Sequence, residues 1–120
     1  YLRAGNVHYF QGAFRTALEN YEAAAKRDPG SAAACNGVGM AYFALRRYPD
    51  ALENFSRAIA LAPTCGRCYR NRAATYSNLK QFGNAAADLR SAGLVNTAPG
   101  LVEEYQRLIK DAEARADGVP

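Results

Sequence analysis

The chain has few of the residues and segments that mark several common functional classes. No apolar run approaches the roughly 20 residues that a membrane-spanning helix needs, and no signal peptide is visible. A Gly-rich phosphate loop, a nucleophile elbow and paired carboxylates beside a base are also missing. We therefore predict a protein that is not an enzyme, needs no cofactor and has no membrane partner.

Cysteine, histidine and net charge are also limited. The three cysteines are an odd number, which excludes a complete disulfide framework. We therefore expect reduced thiols in an intracellular, cytoplasmic protein. The net charge of +4 mildly favours acidic partners and is too small to indicate nucleic acid. Because the chain begins at Tyr1 rather than Met, we expect it to be a fragment of a longer protein.

What the sequence does contain is an internal repeat. Small, aromatic and proline positions recur at one constant spacing in separate columns: Ala17, Ala51 and Ala85; Ala24, Ala58 and Ala92; Phe14, Tyr48 and Phe82; Gly5 and Gly39; Pro29 and Pro63. A fixed period in this range is typical of stacked supersecondary units. Each unit has two helical apolar stripes, which a break separates (residues 46–49 in the second unit), and a proline ends the first two units. We predict two antiparallel helices per unit, with the glycines at close helix contacts.

The second unit carries most of a known pattern. The stretch "AAACNGVGMAYFALRRYPDALENFSRAIALAPTC" contains Val38, Gly39, Tyr42, Ala51, Phe55, Ala58 and Pro63. These residues resemble the tetratricopeptide repeat (TPR) family. The third unit departs from the family where Leu89 replaces an aromatic residue and Thr97 replaces the closing proline. The resemblance implies an all-α, right-handed α-solenoid in one domain, 1–120. Its repeats would span 1–31, 32–65 and 66–99, followed by a capping helix, 100–117, with Leu101, Tyr105, Leu108, Ile109 and Ala112 as its apolar stripe.

The resemblance also implies a function. In the family, the first helix of each repeat lines a concave groove that binds extended peptides, so we expect a non-catalytic adaptor, scaffold or co-chaperone module. Asparagines suit a peptide backbone, arginines suit carboxylates and aromatic residues suit apolar side chains. Helical phase predicts these groove residues: Asn6, Tyr9, Phe10, Asn36, Met40, Phe43, Arg67, Arg70, Asn71 and Asn78. The expected partner is a protein or peptide, for which an acidic C-terminal tail would fit.

Some family members bind the acidic C-terminal tails of heat-shock chaperones through a clamp of basic residues and asparagines. At the corresponding positions of this chain, Asn6 matches and Arg67 keeps the charge. Leu2, Gly37 and Asn71 depart from the clamp. A neighbouring arginine is no simple substitute, because one step along a helix turns a side chain by about 100°.

Two other functions remain open from the sequence. The array could serve self-association or structural packing. Alternatively, Cys65 and Cys68 could form a thiol redox or metal site, since they flank the predicted start of a helix with Thr64 as its N-cap. A structural zinc site needs about four ligands. We expect Cys35, Cys68 and His8, the only histidine, to be packing residues instead.

Overall fold

The computed structural model describes residues 1–95 and 99–118, and in the second range the side chains from residue 103 onward. All regular structure in this part of the chain is α-helical. The helices are α1 (Leu2–Phe10), α2 (Phe14–Arg27), α3 (Ala32–Ala44), α4 (Tyr48–Leu61), α5 (Gly66–Asn78), α6 (Phe82–Val95) and α7 (Pro99–Ala116). Within these ranges no helix combines the length and the apolar character that crossing a membrane requires.

The chain divides into two compact units. Tyr1–Pro63 contains α1 to α4, and Thr64–Pro120 contains α5 to α7. Consecutive helices pack as the repeat predicts, α1 on α2, α3 on α4, α5 on α6, with α7 on α6. The predicted break at 46–49 is slightly displaced, since α4 begins at Tyr48 and Pro49 lies in its first turn. Proline is well suited to that position because the first N–H groups of a helix have no intrahelical acceptor.

The turn inside each helix pair has the same geometry in all three repeats. Gly12, Arg46 and Lys80 occupy equivalent repeat positions, and their φ angles are 79°, 62° and 60°. The next residue donates its N–H to the carbonyl five positions back at 2.8 to 2.9 Å: Ala13 to His8, Arg47 to Tyr42, and Gln81 to Tyr76. This Schellman arrangement satisfies a carbonyl at the helix end. A left-handed backbone costs a non-glycine residue roughly 1–2 kcal/mol, so Arg46 and Lys80 hold a strained position that Gly12 adopts freely.

Tyr21 of α2 is the centre of the first unit's core. Its side chain has no exposed surface and lies against glycines of two other helices. A Cβ at Gly5 of α1 would stand 2.6 Å from Tyr21 Cδ1, and one at Gly37 of α3 would come closer still. Both contacts are shorter than real Cβ atoms make. Glycine at these positions therefore allows the two helix backbones to approach the ring.

The second repeat uses the same device. Phe55 of α4, which holds the repeat position of Tyr21, is 1% exposed, and a Cβ at Gly39 of α3 would stand 2.6 Å from its ring. The predicted close approach at Gly5 and Gly39 is thus confirmed. Five of the six alanines of the predicted columns are completely buried, at positions 17, 51, 58, 85 and 92, and Ala24 is half-buried. Small side chains there let paired helices pack closely.

The core of the second unit joins α5, α6 and α7. Its buried members are Ala73, Ala85, Leu89, Ala92 and Tyr105, with Tyr69, Tyr76 and Ile109 partly buried beside them. The predicted capping helix is confirmed in α7, where Tyr105 is 3% and Ala112 is 6% exposed. Leu108 is 40% exposed, contrary to the predicted stripe, because the buried face follows the i, i+4, i+7 spacing of 105, 109 and 112. Thr97 lies outside the described residues, and Leu101 lies outside the described side chains.

Candidate functional site

The candidate residues of α1 form a polar and aromatic surface. Asn6 is exposed, and its Oδ1 accepts a hydrogen bond of 2.6 Å from the Tyr21 hydroxyl. That bond fixes the amide and leaves its NH₂ group to donate to a ligand. Tyr9 packs edge-to-face with Phe10 at 5.6 Å and with Phe14 at 5.4 Å between ring centroids. Phe10 is 81% exposed, so α1 offers one oriented amide and one large apolar side chain to a partner.

The candidate residues of α3 differ from the expectation at one position. Asn36 is only 5% exposed, and its Nδ2 donates to Met40 Sδ at 3.5 Å. The expectation that Asn36 presents its amide to a peptide is therefore wrong for this structure, because its side chain packs inside. Met40 and Phe43 are half-buried, and Phe43 contacts Tyr48 edge-to-face at 5.4 Å. These two side chains keep the apolar character that the sequence predicts.

Tyr21 contacts two positions at which the resemblance implies clamp asparagines, Gly37 and Asn6. Gly37 occupies a clamp position that is asparagine in the family members that bind those tails. Any side chain there would overlap the Tyr21 ring. The hydroxyl of the same tyrosine holds Asn6, the one clamp asparagine that matches. Tyr21 therefore leaves no room for a side chain at position 37 and fixes the orientation of the Asn6 amide.

In the second unit, Arg67 and Arg70 line one cavity at the start of α5. Its volume is about 230 Å³, and Thr64, Gly66, Val95 and Tyr105 complete the lining. Both arginines are exposed. Among the residues that the structure describes, neither guanidinium has an ion-pair partner. The cavity therefore offers two unneutralised cations to an anionic group, and guanidinium groups bind carboxylates in bidentate geometry.

The two remaining candidates of α5 differ in exposure. Asn71 is half-buried, whereas Asn78 is exposed. The Nδ2 of Asn78 donates to the Ala74 carbonyl at 2.9 Å. Its Oδ1 remains the group that could accept from a peptide N–H.

The second unit contains a buried ion pair that the sequence did not predict. Arg72 Nε and Nη2 donate to the two carboxylate oxygens of Asp88 at 2.8 and 2.7 Å, and Asp88 is 4% exposed. The hydrogen bond to Asp88 is the main reason that the pKa of Arg72 is raised. Arg72 therefore links α5 to α6 through this ion pair, whereas its neighbour Arg70 has no ion-pair partner among the described residues. The signal available in the sequence was an acidic residue within the otherwise apolar stripe of α6.

A second cavity, in the first unit, contains charges that are mostly neutralised. Its volume is about 350 Å³, and it is lined by residues of α2, α3 and α4, among them Tyr42. Asp50 pairs with Arg47 at 2.9 Å and Glu53 with Arg57 at 3.5 Å. Burial, followed by the nearby carboxylate of Glu22, raises the pKa of Tyr42. Three carboxylates, of Glu22, Asp50 and Glu53, line this cavity, so an acidic peptide would meet like charge there.

The cysteines correct two expectations. Cys65 and Cys68 form a disulfide, so the expectation of three reduced thiols is wrong for this pair, and only Cys35 is a free thiol. The two Cα atoms lie 5.3 Å apart, within the range that a disulfide spans. Cys65, not Thr64, is the N-cap of α5, and its Sγ accepts from the Cys68 N–H at 3.2 Å. No group of three metal-ligating side chains occurs within residues 1–95 and 103–118.

Comparison with known proteins places the chain in a family. The family model described as tetratricopeptide repeat matches residues 2–65 and 39–98. The chain belongs to the tetratricopeptide repeat family, and its all-α TPR fold agrees with the class predicted from the repeat period.

The relatives are much longer than this chain. BBSome complex member BBS4 of Mus musculus is 30% identical over 107 residues, which are 89% of this chain and 20% of that protein. Hsp70-Hsp90 organizing protein of Triticum aestivum is 36% identical over 70 residues, 58% of this chain and 12% of that protein. The chain therefore spans a fifth or less of the length of these relatives.

Solved structures share the fold at low identity. The TPR2B-domain:pHsp70 complex of yeast Sti1 has a TM-score of 0.86 at 21% identity, covering 93% of this chain and 92% of that chain. The first TPR of Spaghetti (RPAP3), bound to the HSP90 peptide SRMEEVD, has a TM-score of 0.81 at 23% identity, covering 92% and 87%. At these identities the likeness establishes the fold.

Proposed function

We propose that the chain is a non-catalytic protein-interaction module that binds an extended acidic peptide. Its role would be that of an adaptor, scaffold or co-chaperone. Family membership supports the general role, and the names of similar proteins support the peptide class. One relative is an Hsp70-Hsp90 organizing protein, and one structural neighbour holds the acidic peptide SRMEEVD.

The observation that carries the proposal is the cavity at the start of α5. Arg67 and Arg70 line it together, and neither has an ion-pair partner among the described residues. Solvent-exposed cations that lack an internal partner are available to a ligand without first breaking a salt bridge. The proposed occupant is a carboxylate of the peptide, bound by charge-assisted hydrogen bonds. A free C-terminus or an Asp or Glu side chain would satisfy the same chemistry.

The first unit has a contact surface of its own. We assign hydrogen bonding to a peptide backbone to Asn6, whose amide Tyr21 already orients. Apolar peptide side chains would contact Tyr9, Phe10, Met40 and Phe43. Because Gly37 cannot carry an amide beside Tyr21, the mode of binding differs from the two-asparagine clamp. The surface of the first unit would therefore favour apolar peptide side chains, and the arginines of the second unit would favour acidic ones.

The experiment is a binding titration with fluorescent peptides of equal length, one acidic and one with its Asp and Glu replaced by Asn and Gln. The Arg67→Ala/Arg70→Ala variant should lose at least about tenfold in affinity for the acidic peptide at low salt. Its matched control is Arg15→Ala/Arg107→Ala, which removes the same charge from exposed residues of α2 and α7. Higher salt should reduce the difference in affinity for the acidic peptide between wild type and Arg67→Ala/Arg70→Ala. Equal affinities of both double variants would refute the arginine site.

Self-association is a second candidate, and exposed apolar residues of α1 favour it. Phe10 is 81% and Val7 is 49% exposed. Sedimentation equilibrium over a wide concentration range distinguishes the two roles. A dimer that dissociates after Phe10→Ser, with no peptide affinity in wild type, would support this candidate instead. A monomer that binds the acidic peptide would exclude it.

A further inference from the structure

The disulfide between Cys65 and Cys68 encloses the first turn of α5. Cys65 is the N-cap of the helix, and Cys68 follows one turn later. The two sulfurs differ sharply in access, because Cys65 is half-buried whereas Cys68 is 1% exposed. Thiol–disulfide exchange requires a thiolate to reach one sulfur of the bond. The Cys65 side of the bond is therefore the more accessible one to an external thiol.

The surroundings of Cys65 would stabilise a thiolate. Its Sγ accepts a hydrogen bond from the Cys68 backbone N–H at 3.2 Å. It lies at the N-terminus of a 13-residue helix, where the helix dipole favours negative charge. Arg67 and Arg70, which have no internal ion-pair partner among the described residues, add positive charge to the same helix end. Electropositive, partly exposed sites of this kind contain the reactive cysteines of proteins.

The N-cap hydrogen bond at Cys65 should keep the first turn of α5 folded when the disulfide is reduced. The N-cap hydrogen bond joins Cys65 Sγ to a backbone N–H, so it does not require the sulfur–sulfur bond. Ser, whose hydroxyl accepts in the same way, is a preferred N-cap. Reduction should therefore leave α5 folded, which is what a reversible redox couple needs.

We propose that Cys65 and Cys68 form a reversible dithiol–disulfide couple in which Cys65 is the sulfur that exchanges with external thiols. In reduction, one thiolate of an external dithiol attacks Cys65 Sγ and the bond between the two protein sulfurs breaks. Cys68 leaves as a thiolate and takes up a proton. The second thiolate of the reagent then attacks the mixed disulfide and releases Cys65. The protein gains two electrons and two protons, and the dithiol becomes a disulfide.

Variants that keep only one cysteine of the pair test which sulfur reacts. Cys68→Ala leaves Cys65 free, and Cys65→Ser leaves Cys68 free while keeping an N-cap acceptor. Mixed-disulfide formation with oxidised glutathione is followed by mass spectrometry of peptides, and circular dichroism checks that each variant is folded. Cys65 in the first variant should react at least about tenfold faster than Cys68 in the second. Cys35, which is 2% exposed, serves as the slow internal reference in both. Equal rates at Cys65 and Cys68 would overturn the assignment.

Wild-type protein tests reversibility. The chain is equilibrated in mixtures of reduced and oxidised dithiothreitol, and free thiols are trapped by alkylation. The expected result is one two-electron transition, with the same midpoint approached from either side and with helix content unchanged. A pair that stays reduced after full oxidation of the buffer, or that reoxidises only through Cys35, would contradict the proposal. Because the readout is thiol content, the result is independent of peptide binding.

Discussion

Replacing Gly37 by Ala tests the packing on which the first unit depends. A Cβ at this position would overlap Tyr21 Cδ1, and the ring cannot easily retreat because Gly5 of α1 lies against the same ring atoms. Overpacking of this kind costs about 1–3 kcal/mol, and the enclosure of Tyr21 places the expected cost near the upper end. Alanine recovers about 1 kcal/mol through its higher helix propensity. We therefore expect a net loss of about 2 kcal/mol in the free energy of unfolding.

The assay is urea unfolding followed by far-UV circular dichroism. Gly83→Ala is the matched control, since a Cβ at this position of α6 would meet nothing within 4 Å. That variant should gain up to about 1 kcal/mol. Tyr21→Leu should cost less in the Gly37→Ala background than in wild type, because a smaller side chain relieves the overlap. If Gly37→Ala proved as stable as Gly83→Ala, Tyr21 would not be tightly enclosed by α1 and α3.

Three further measurements follow from the structure. Lys80→Gly should raise the free energy of unfolding by up to about 1 kcal/mol, because glycine relieves the left-handed backbone but loses more entropy on folding; an unchanged urea midpoint would contradict this. Burial raises the pKa of Cys35 above its ordinary 9.0 and of Tyr21 and Tyr42 above their ordinary 10.0. The unfolded chain then releases these protons first, so the contribution of these three groups to stability should be constant up to about pH 9 and should fall above it. Tyr21→Phe should flatten part of that fall in alkaline urea titrations. Reducing the disulfide should lower the free energy of unfolding by at most roughly 2 kcal/mol, because it closes a very short loop, and a calorimetric loss well above this would contradict the estimate.

The fold could be predicted because its determinants recur in the sequence. The columns of alanine, glycine and proline at the repeat spacing correspond to buried alanines, tight glycine contacts and helix ends. The left-handed turn was not predicted, since Arg46 and Lys80 are residues that rarely adopt that conformation. Their hydrogen-bonding geometry becomes visible only when the three turns are compared in three dimensions.

The candidate site was predictable only in part. Helical phase placed Arg67, Arg70 and Phe10 on exposed surfaces, where the structure has them. Helical phase wrongly predicted an accessible side chain at Asn36. Periodicity gives the direction of a side chain but does not show what packs over it. The disulfide was missed because the odd number of cysteines led to the expectation of reduced thiols, and Asp88 was missed because its partner lies on another helix. A buried carboxylate is tolerated only where a specific partner lies beside it, and sequence spacing does not reveal that partner.

A ¹⁵N NMR titration shows at which residues an acidic peptide binds, and the start of α5 is the expected place. Unlabelled acidic peptide is added to labelled protein, with the Asn/Gln version of the peptide as control. We expect the amides of Gly66 to Arg70 to shift with the acidic peptide and to shift much less with the control peptide. Arg67→Ala/Arg70→Ala should abolish these shifts. Shifts confined to other helices, or equal for both peptides, would contradict this expectation.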